Sequence, residues 1–442
     1  MSIPHESVSA PAKKSGAPSA SKRLEELKLR VHRQLLERLD LVALSSLDST
    51  QAEEHIRTTL QRLLQADSPD LSGLERERLI EEVGYEVFGL GPLEEFLKDG
   101  DISDILVNGP GAVYIERQGR LTLTDVKFRD EEHLMKVIDR IVSTVGRRLD
   151  RDAPMVDARL PDGSRVNAIV APLAVRGPCL SIRRFRRDPY RIDNLLAFGA
   201  LTPQMVRYLA AAIQGRLNII ISGGTGAGKT TLLNCLTSFI PHHERVVTIE
   251  DSAELQLQQP HVVPLETRPP DLDDKGEITQ RDLVRNALRM RPDRIIVGEA
   301  RGGEALDMLQ AMNTGHDGSL TTIHANSPRE CLQRLEVMVL MAGYDLPVKA
   351  IRQQVGSAVN VLVQAARLTD GSRKIVRVSE IVGMESDQLQ LQDIFEFVQT
   401  GVTPEARVHG QFRATGLRSR YFDRLVVAGV KPEDILPGAG ER

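Results

Sequence analysis

The 442-residue sequence predicts an α/β chain in three parts: a helical N-terminal region, a small α+β domain, and a larger domain on a mostly parallel sheet. Three observations lead there. Leucines spaced three or four apart run through residues 21–98. Short apolar runs broken by glycine turns fill residues 99–190. From residue 191 to 442, continuous β-branched runs alternate with helical periods.

Taken in order, residues 1–20 are rich in Ser, Ala, Pro and Lys and read as a disordered tail. Leu24, Leu27, Leu29, Val31, Leu35, Leu36 and Leu39 mark a first helix, Ile56, Leu60, Leu63 and Leu64 a second, and residues 74–96 a third. Together they suggest a small bundle for packing or partner docking. Past Gly100, Ile105-Leu-Val, Val113-Tyr-Ile and Leu121-Thr-Leu read as short strands, residues 131–145 as a helix, and Asp162-Gly163 as a hairpin turn between two further strands. Asp188-Pro-Tyr-Arg191 reads as a linker. Strands follow at residues 218–222, 245–249, 294–298 and 320–324, helices at 229–239 and 281–291. Beyond residue 360 a strand hairpin around Asp370-Gly371 precedes small appended elements, and no internal repeat is visible.

Bulk properties narrow the class. Apolar residues at 41% suffice for more than one core, and a net charge of −4 does not advertise a nucleic-acid binder. The basic run Arg183, Arg184, Arg186, Arg187 and Arg191 fits a solvated face and an anion contact equally. Three cysteines, Cys179, Cys235 and Cys331, lie far apart, which points to a reducing compartment and leaves no zinc knuckle. No apolar run approaches 18 residues, and the N-terminus lacks the apolar stretch of a secretory signal, so a cytoplasmic location is expected.

The chemistry-bearing segment is Gly223-Gly224-Thr225-Gly226-Ala227-Gly228-Lys229-Thr230, which fits G-x-x-x-x-G-K-[ST] after a strand and before a helix. Glycines let backbone N–H groups approach phosphate oxygens, and the helix start offers its free donors and positive dipole end. Lys229 supplies a point charge for the β and γ phosphates of ATP, Thr230 a hydroxyl for Mg2+, and Thr231 extends the contact into the helix. Hydrolysis needs acids at neighbouring strand ends, where ligands of parallel sheets sit. Glu250, Asp251 and Glu299 are placed there. Any one of them could instead cap a helix or loop. His324 ends another strand, and both His324 and His316 could sense a phosphate or serve the fold.

These segments resemble the type II/IV secretion ATPase superfamily. After the phosphate loop, Thr248-Ile-Glu-Asp-Ser-Ala-Glu-Leu255 resembles its aspartate box, Leu288-Arg-Met-Arg-Pro-Asp-Arg-Ile-Ile-Val-Gly-Glu299 its atypical Walker B, and Thr314-Gly-His-Asp-Gly-Ser-Leu-Thr-Thr-Ile-His-Ala-Asn326 its histidine box. Upstream, Pro154-Met-Val-Asp-Ala-Arg-Leu-Pro-Asp-Gly-Ser-Arg-Val-Asn167 and Leu180-Ser-Ile-Arg-Arg-Phe185 are similar to the CpaF/TadA-like ATPases of tight-adherence (Tad, Flp-type) pili. The resemblance covers roughly residues 75–400. It implies a homo-hexamer of subunits, each with a PAS-like N-terminal domain and a RecA-like C-terminal domain and with ATP between them. It further implies Glu299 as general base, Glu250 as the aspartate-box acid reaching Mg2+ directly or through water, and His324 as the histidine-box residue. Arginines of the smaller domain are expected at the phosphates: Arg165 and Arg183 first, then Arg159, Arg176 and Arg184. The implied role is a motor attached to an inner-membrane platform, without direct nucleic-acid contact. The family's type II assembly members usually carry a four-cysteine zinc module that this chain cannot build, which favours the Tad or type IV branch. Other readings of the same loop are a nucleic-acid or conjugation ATPase, a phosphotransferase, and a non-hydrolysing scaffold.

Overall fold

The computed structural model describes residues 20–38, 49–68, 70–117, 119–144, 146–185, 189–270, 275–404 and 406–428. The expected tail up to residue 19, Leu39, Arg186 and Arg187 of the basic run, and Asp188 of the linker fall outside these residues. Two compact units divide at residues 185 and 186.

The first unit opens with α1 (Ala20–Arg38), α2 (Ser49–Asp67) and α3 (Gly73–Phe88). Their leucine faces meet: Val31 and Leu35, Ile56, Leu60 and Leu64, and Leu79 and Val83 form one buried cluster. Ser72 caps α3, its hydroxyl accepting from the Glu75 N–H while the Glu75 side chain returns to the Ser72 N–H. The single helix expected over residues 74–96 does not occur. α3 stops at Gly89, and a 3-10 turn (Gly91–Leu93) and α4 (Glu94–Lys98) follow. Pro92 lacks the N–H that a continuing helix would need, which enforces the break.

A six-stranded antiparallel sheet comes next, made of β1 (Ile102–Asn108), β2 (Val113–Arg117), β3 (Arg120–Leu123), β4 (Met155–Arg159), β5 (Arg165–Ile169) and β6 (Cys179–Arg183) in the order β3-β2-β1-β6-β5-β4. α5 (Glu131–Thr144) buries Leu134, Val137, Ile138, Ile141 and Val142 in a core shared with strand residues such as Ile105, Val107 and Ile182. The alternation along β5, with Val166 and Ala168 buried, is that of a strand with one face on a core.

The second unit is built on a nine-stranded sheet in the order β15-β14-β13-β12-β7-β11-β10-β8-β9. Its strands are β7 (Ile219–Gly223), β8 (Val246–Glu250), β9 (Val262–Glu266), β10 (Arg294–Val297), β11 (Leu320–Ile323), β12 (Val361–Arg367), β13 (Arg373–Glu385), β14 (Gln388–Val402) and β15 (Val408–Ala414). β7 to β12 pair in parallel, and β12 to β15 form antiparallel hairpins. The sheet is therefore mixed. The strand hairpin expected around Asp370-Gly371 is formed by β12 and β13, and in place of the small appended elements expected after it come β14 and β15, which extend the sheet, with α13 (Phe422–Val427) after them.

Covering helices are α6 (Ile192–Ala197), α7 (Pro203–Gln214), α8 (Lys229–Thr237), α9 (Gln280–Ala287), α10 (Glu304–Asn313), α11 (Pro328–Leu340) and α12 (Val348–Ala358). Successive residues of β7 enter different cores: Ile219 and Ile221 join α7 and α8, whereas Ile220 joins α9 to α12. Burial on both faces explains the unbroken Ile-Ile-Ile run, since no position of the strand meets water. Each such isoleucine contributes roughly 1.5–3 kcal/mol by leaving water.

Candidate active site

The phosphate-loop segment lies at the C-terminal edge of β7. Gly223 sits so close to β12 that a Cβ there would lie 2.5 Å from the Ala365 carbonyl oxygen. Gly228 is the N-cap of α8 at φ 91°, a left-handed conformation that glycine adopts without strain. No side chain caps α8. By contrast α7, α9 and α11 are capped by Thr202, Thr279 and Ser327. The first N–H groups of α8 thus suit a phosphate, and Thr230 and Thr231 stand half-buried on its first turn. Mg2+ keeps several waters and takes few protein oxygens beside phosphate oxygens, which the Thr230 hydroxyl fits.

The parallel register carries acids to the same edge. β10 lies between β8 and β11, and β11 lies between β10 and β7. Glu299 follows β10 directly, and its Oε1 stands 3.7 Å from the Lys229 Nζ. Its Oε2 accepts from Arg301 through Nε at 3.0 Å and Nη2 at 2.5 Å. Arg301 also reaches Asp251 at 3.6 Å. Burial pushes the Glu299 carboxyl up, but the Arg301 hydrogen bond and charge, helped by Lys229 and His324, outweigh it and hold the group below its ordinary value. Burial draws the Lys229 ammonium down, only partly offset by Glu299. Lys229 also donates to the Gly224 carbonyl at 3.4 Å.

Glu250 lies beside this pair, its Cγ 2.8 Å from where a Gly298 Cβ would be. Its Oε1 accepts the N–H groups of Glu254 at 3.0 Å and Leu255 at 3.1 Å, so the carboxylate shapes the segment after β8. His324 ends β11 at the same edge, close enough to Glu299 to help hold its charge. His316 is elsewhere: it precedes β11, at the opposite edge, where its carbonyl accepts from the Ser319 hydroxyl.

Behind the loop the buried Ser222 hydroxyl bonds the Gln364 side chain, and Gln364 Nε2 donates to the Ala325 carbonyl at 3.1 Å. Thr322 Oγ1 donates to the Gly298 carbonyl at 2.8 Å. Loop, histidine strand and Glu299 strand are thereby cross-braced. Asn326 approaches as well, its Oδ1 3.8 Å from a Cβ placed on Gly224. Arg301, Gln364 and Asn326 were not among the sequence-derived candidates. Arg301 could have been suspected from its place two residues after Glu299, whereas Gln364 depends on strand pairing.

Arg165 and Arg183 belong to the first unit. They are cross-strand partners on β5 and β6, flanked in the same row by Arg159 on β4 and Asp104 on β1. Arg183 Nε lies 3.3 Å from Asp104 Oδ1. Arg184 instead ties the chain, donating to the carbonyls of Leu97, Asp99 and Ile102. Arg176 is exposed in the turn before β6.

Comparison with known proteins gives the family. The family model for "Type II/IV secretion system protein" matches residues 86–412. A Mycobacterium tuberculosis protein named for conjugal transfer is 39% identical over 300 residues, covering 66% of this chain and 85% of that protein. The conjugal transfer protein TrbB of Rhizobium radiobacter is 33% identical, covering 67% and 88%. The type IV secretion system protein VirB11 of Brucella suis is 32% identical, covering 62% and 84%. The solved Brucella suis VirB11 ATPase aligns at 30% identity over 65% of this chain and 95% of its own, with a TM-score of 0.36. No helix among the described residues is long and apolar enough to cross a membrane.

Proposed function

Because this chain belongs to the type II/IV secretion system protein family, we propose that it hydrolyses ATP and works as one subunit of a hexameric motor. The machine it serves is a Tad or type IV-like pilus or a secretion system. The motor sits at the cytoplasmic face of the inner membrane and is held there by platform proteins. The observation that carries the enzymatic part is the 3.7 Å approach of Lys229 to Glu299. Two strands of one sheet edge present a cation for phosphate and a carboxylate for water within one triphosphate's reach.

In this reading the loop from Gly223 to Thr231 wraps the β and γ phosphates with backbone N–H groups, and Lys229 turns its ammonium to them. Mg2+, when bound, offsets charge on the departing diphosphate. Glu299 Oε1, relieved of Lys229, accepts the proton of a water whose oxygen attacks the γ phosphorus. The bond to the β–γ bridging oxygen breaks, and ADP leaves. Arg301 keeps Glu299 ionised and aimed. Glu250, with its oxygens already on backbone donors, orders the β8 end and reaches Mg2+ at most through water. His324 reports the γ-phosphate to β11. Arg165 and Arg183 supply guanidinium charge at the phosphates in the assembled ring. The insertion of β11 between the loop strand and the Glu299 strand supports a RecA-like larger unit. The central place of β1 and β6 supports a PAS-like smaller sheet.

Phosphate release from Mg-ATP, read beside native mass, tests the proposal. Turnover at sixfold subunit mass is expected, with Lys229→Ala and Glu299→Gln reducing it at least a hundredfold. A Glu299→Gln protein that turns over normally removes that residue as base, and a monomer with full activity removes the ring.

A second reading has its own support, since two relatives are conjugal transfer proteins. It makes the chain a conjugation ATPase acting near DNA. An ATPase rate stimulated by DNA and suppressed by salt would favour it.

A further inference from the structure

The backbone around Glu299 is held in two different ways. The peptide before it is tied to β8, the Gly298 N–H donating to the Ile249 carbonyl at 2.8 Å, and the peptide after it to β11, the Ala300 N–H donating to the Thr322 carbonyl at 2.9 Å. The next two N–H groups, of Arg301 and Gly302, go to a side chain instead. Glu304 Oε1 accepts the Arg301 N–H at 2.6 Å and the Gly302 N–H at 2.7 Å. Glu304 is the first residue of α10 and is buried.

This carboxylate does not cap its own helix as the other acids do. In α3 and α9 the acid stands at the third helical position and returns to the N-cap N–H, as Glu75 and Asp282 show. Glu304 stands at the first position and reaches back past the N-cap, Gly303. A buried carboxylate is costly unless its oxygens find donors. The donors here belong to the turn that carries Arg301. On its other side that turn rests on the chain just past α11: a Cβ on Gly303 would lie 3.0 Å from the Ala342 Cα and 3.4 Å from the Met341 carbonyl oxygen. From this turn Arg301 sends Nε and Nη2 to Glu299 and Nη1 toward Asp251.

We infer that Glu304 is a positioning residue of the hydrolytic site: its carboxylate fixes the turn from which Arg301 holds the Glu299 carboxylate. This rests on the reading of Glu299 as general base, and it adds a residue that acts through Arg301 rather than on the nucleotide. Glu304 serves as an acceptor at a fixed reach, so position matters more than charge. An amide oxygen at the same reach can replace it. A carboxylate one methylene shorter cannot serve both N–H groups.

The test measures steady-state ATP turnover in the full-length chain and in Glu304→Gln, Glu304→Asp, Arg301→Ala, the Glu304→Asp/Arg301→Ala double variant and Glu299→Gln, at a temperature where circular dichroism shows each one folded. Misplacing a catalytic group by about 1 Å costs up to about a hundredfold in rate. Glu304→Asp is expected to lower kcat at least about tenfold with KM for Mg-ATP within about twofold of the parent. Glu304→Gln should keep kcat within about threefold. Because Glu304 acts through Arg301, the double variant should fall within about threefold of the slower single variant. The Arg301 and Gly302 amides should exchange slowly in the parent and in Glu304→Gln, and faster in Glu304→Asp. A Glu304→Asp kcat within about twofold of the parent overturns the inference. So does a Glu304→Gln loss as large as that of Glu304→Asp, or losses that multiply in the double variant. Fast exchange of the two amides in the parent chain overturns it without any variant. If Glu299→Gln is inactive while Glu304→Asp turns over normally, only this inference fails. If Glu299→Gln turns over normally, the general-base reading fails with it.

Discussion

At the N-terminal end of β10, opposite the nucleotide edge, Arg294 is wholly buried. It bonds Glu244 through Nε and Nη2, and Nη1 reaches the Gly318 carbonyl at 3.3 Å. Glu244 has a second partner, Arg216, at 3.1 Å, and Arg216 is partly exposed. The two ends of this pair are therefore not equivalent. Glu244→Ala leaves a buried guanidinium with one carbonyl, and breaking a buried pair this way costs about 3–5 kcal/mol. Arg294→Ala leaves Glu244 with the partly exposed Arg216 as its ion partner, so its loss should be smaller, about 2–3 kcal/mol, mostly cavity and lost packing. Either is a large part of the roughly 5–15 kcal/mol typical of a folded domain. Acid adds a signature. Burial pushes the Glu244 carboxyl up, but Arg294 and Arg216 pull harder and hold it below its ordinary value. A depressed carboxyl contributes stability that is present above its unfolded value and is lost as pH falls through the folded one. Below about pH 4.5 the parent chain should lose this increment, and Glu244→Ala should lack that part of the slope. Urea unfolding followed by circular dichroism, with amide exchange at Ile295 to Val297 marking the larger unit, measures all of this. Equal losses in the two variants, or a loss below 1 kcal/mol in Glu244→Ala, refute the reasoning.

Other expectations follow from the site. Gly223→Ala would press a methyl group against the Ala365 carbonyl; it should lower the melting temperature by several degrees and weaken ADP at least tenfold, and a variant with native melting and affinity would contradict the close approach. Gln364→Leu strands the buried Ser222 hydroxyl and the Ala325 carbonyl, costing about 1–3 kcal/mol by urea unfolding; a neutral result would show that these groups find other partners.

Local chemistry made part of this molecule legible. The Ile-Ile-Ile run of β7 and the glycine-lysine loop after it are determined by near neighbours, and the rule that parallel strands present ligands at their C-terminal edge brings Lys229 and Glu299 together. Where pairing between distant segments decides, the sequence misled. β14 opens Gln-Leu-Gln-Leu-Gln and β15 is short and buries none of its residues, so both read as appended pieces rather than strands of the main sheet. His316 shares a motif with His324, yet one short strand separates them and puts them at opposite edges. Glu250 satisfies backbone donors, a role no spacing announces. Arg373 reaches the Gly226 carbonyl only through a register set some 140 residues downstream of the loop.

One structure determination tests the central claim directly: the chain with Mg-ADP and aluminium fluoride, which occupies the position of the transferred phosphoryl group. The account predicts the β-phosphate within hydrogen-bond reach of the Lys229 Nζ, and the Glu299 carboxylate facing a water beside the fluoride. Nucleotide bound away from α8, or Glu299 still paired with Lys229 beside an occupied loop, would contradict it.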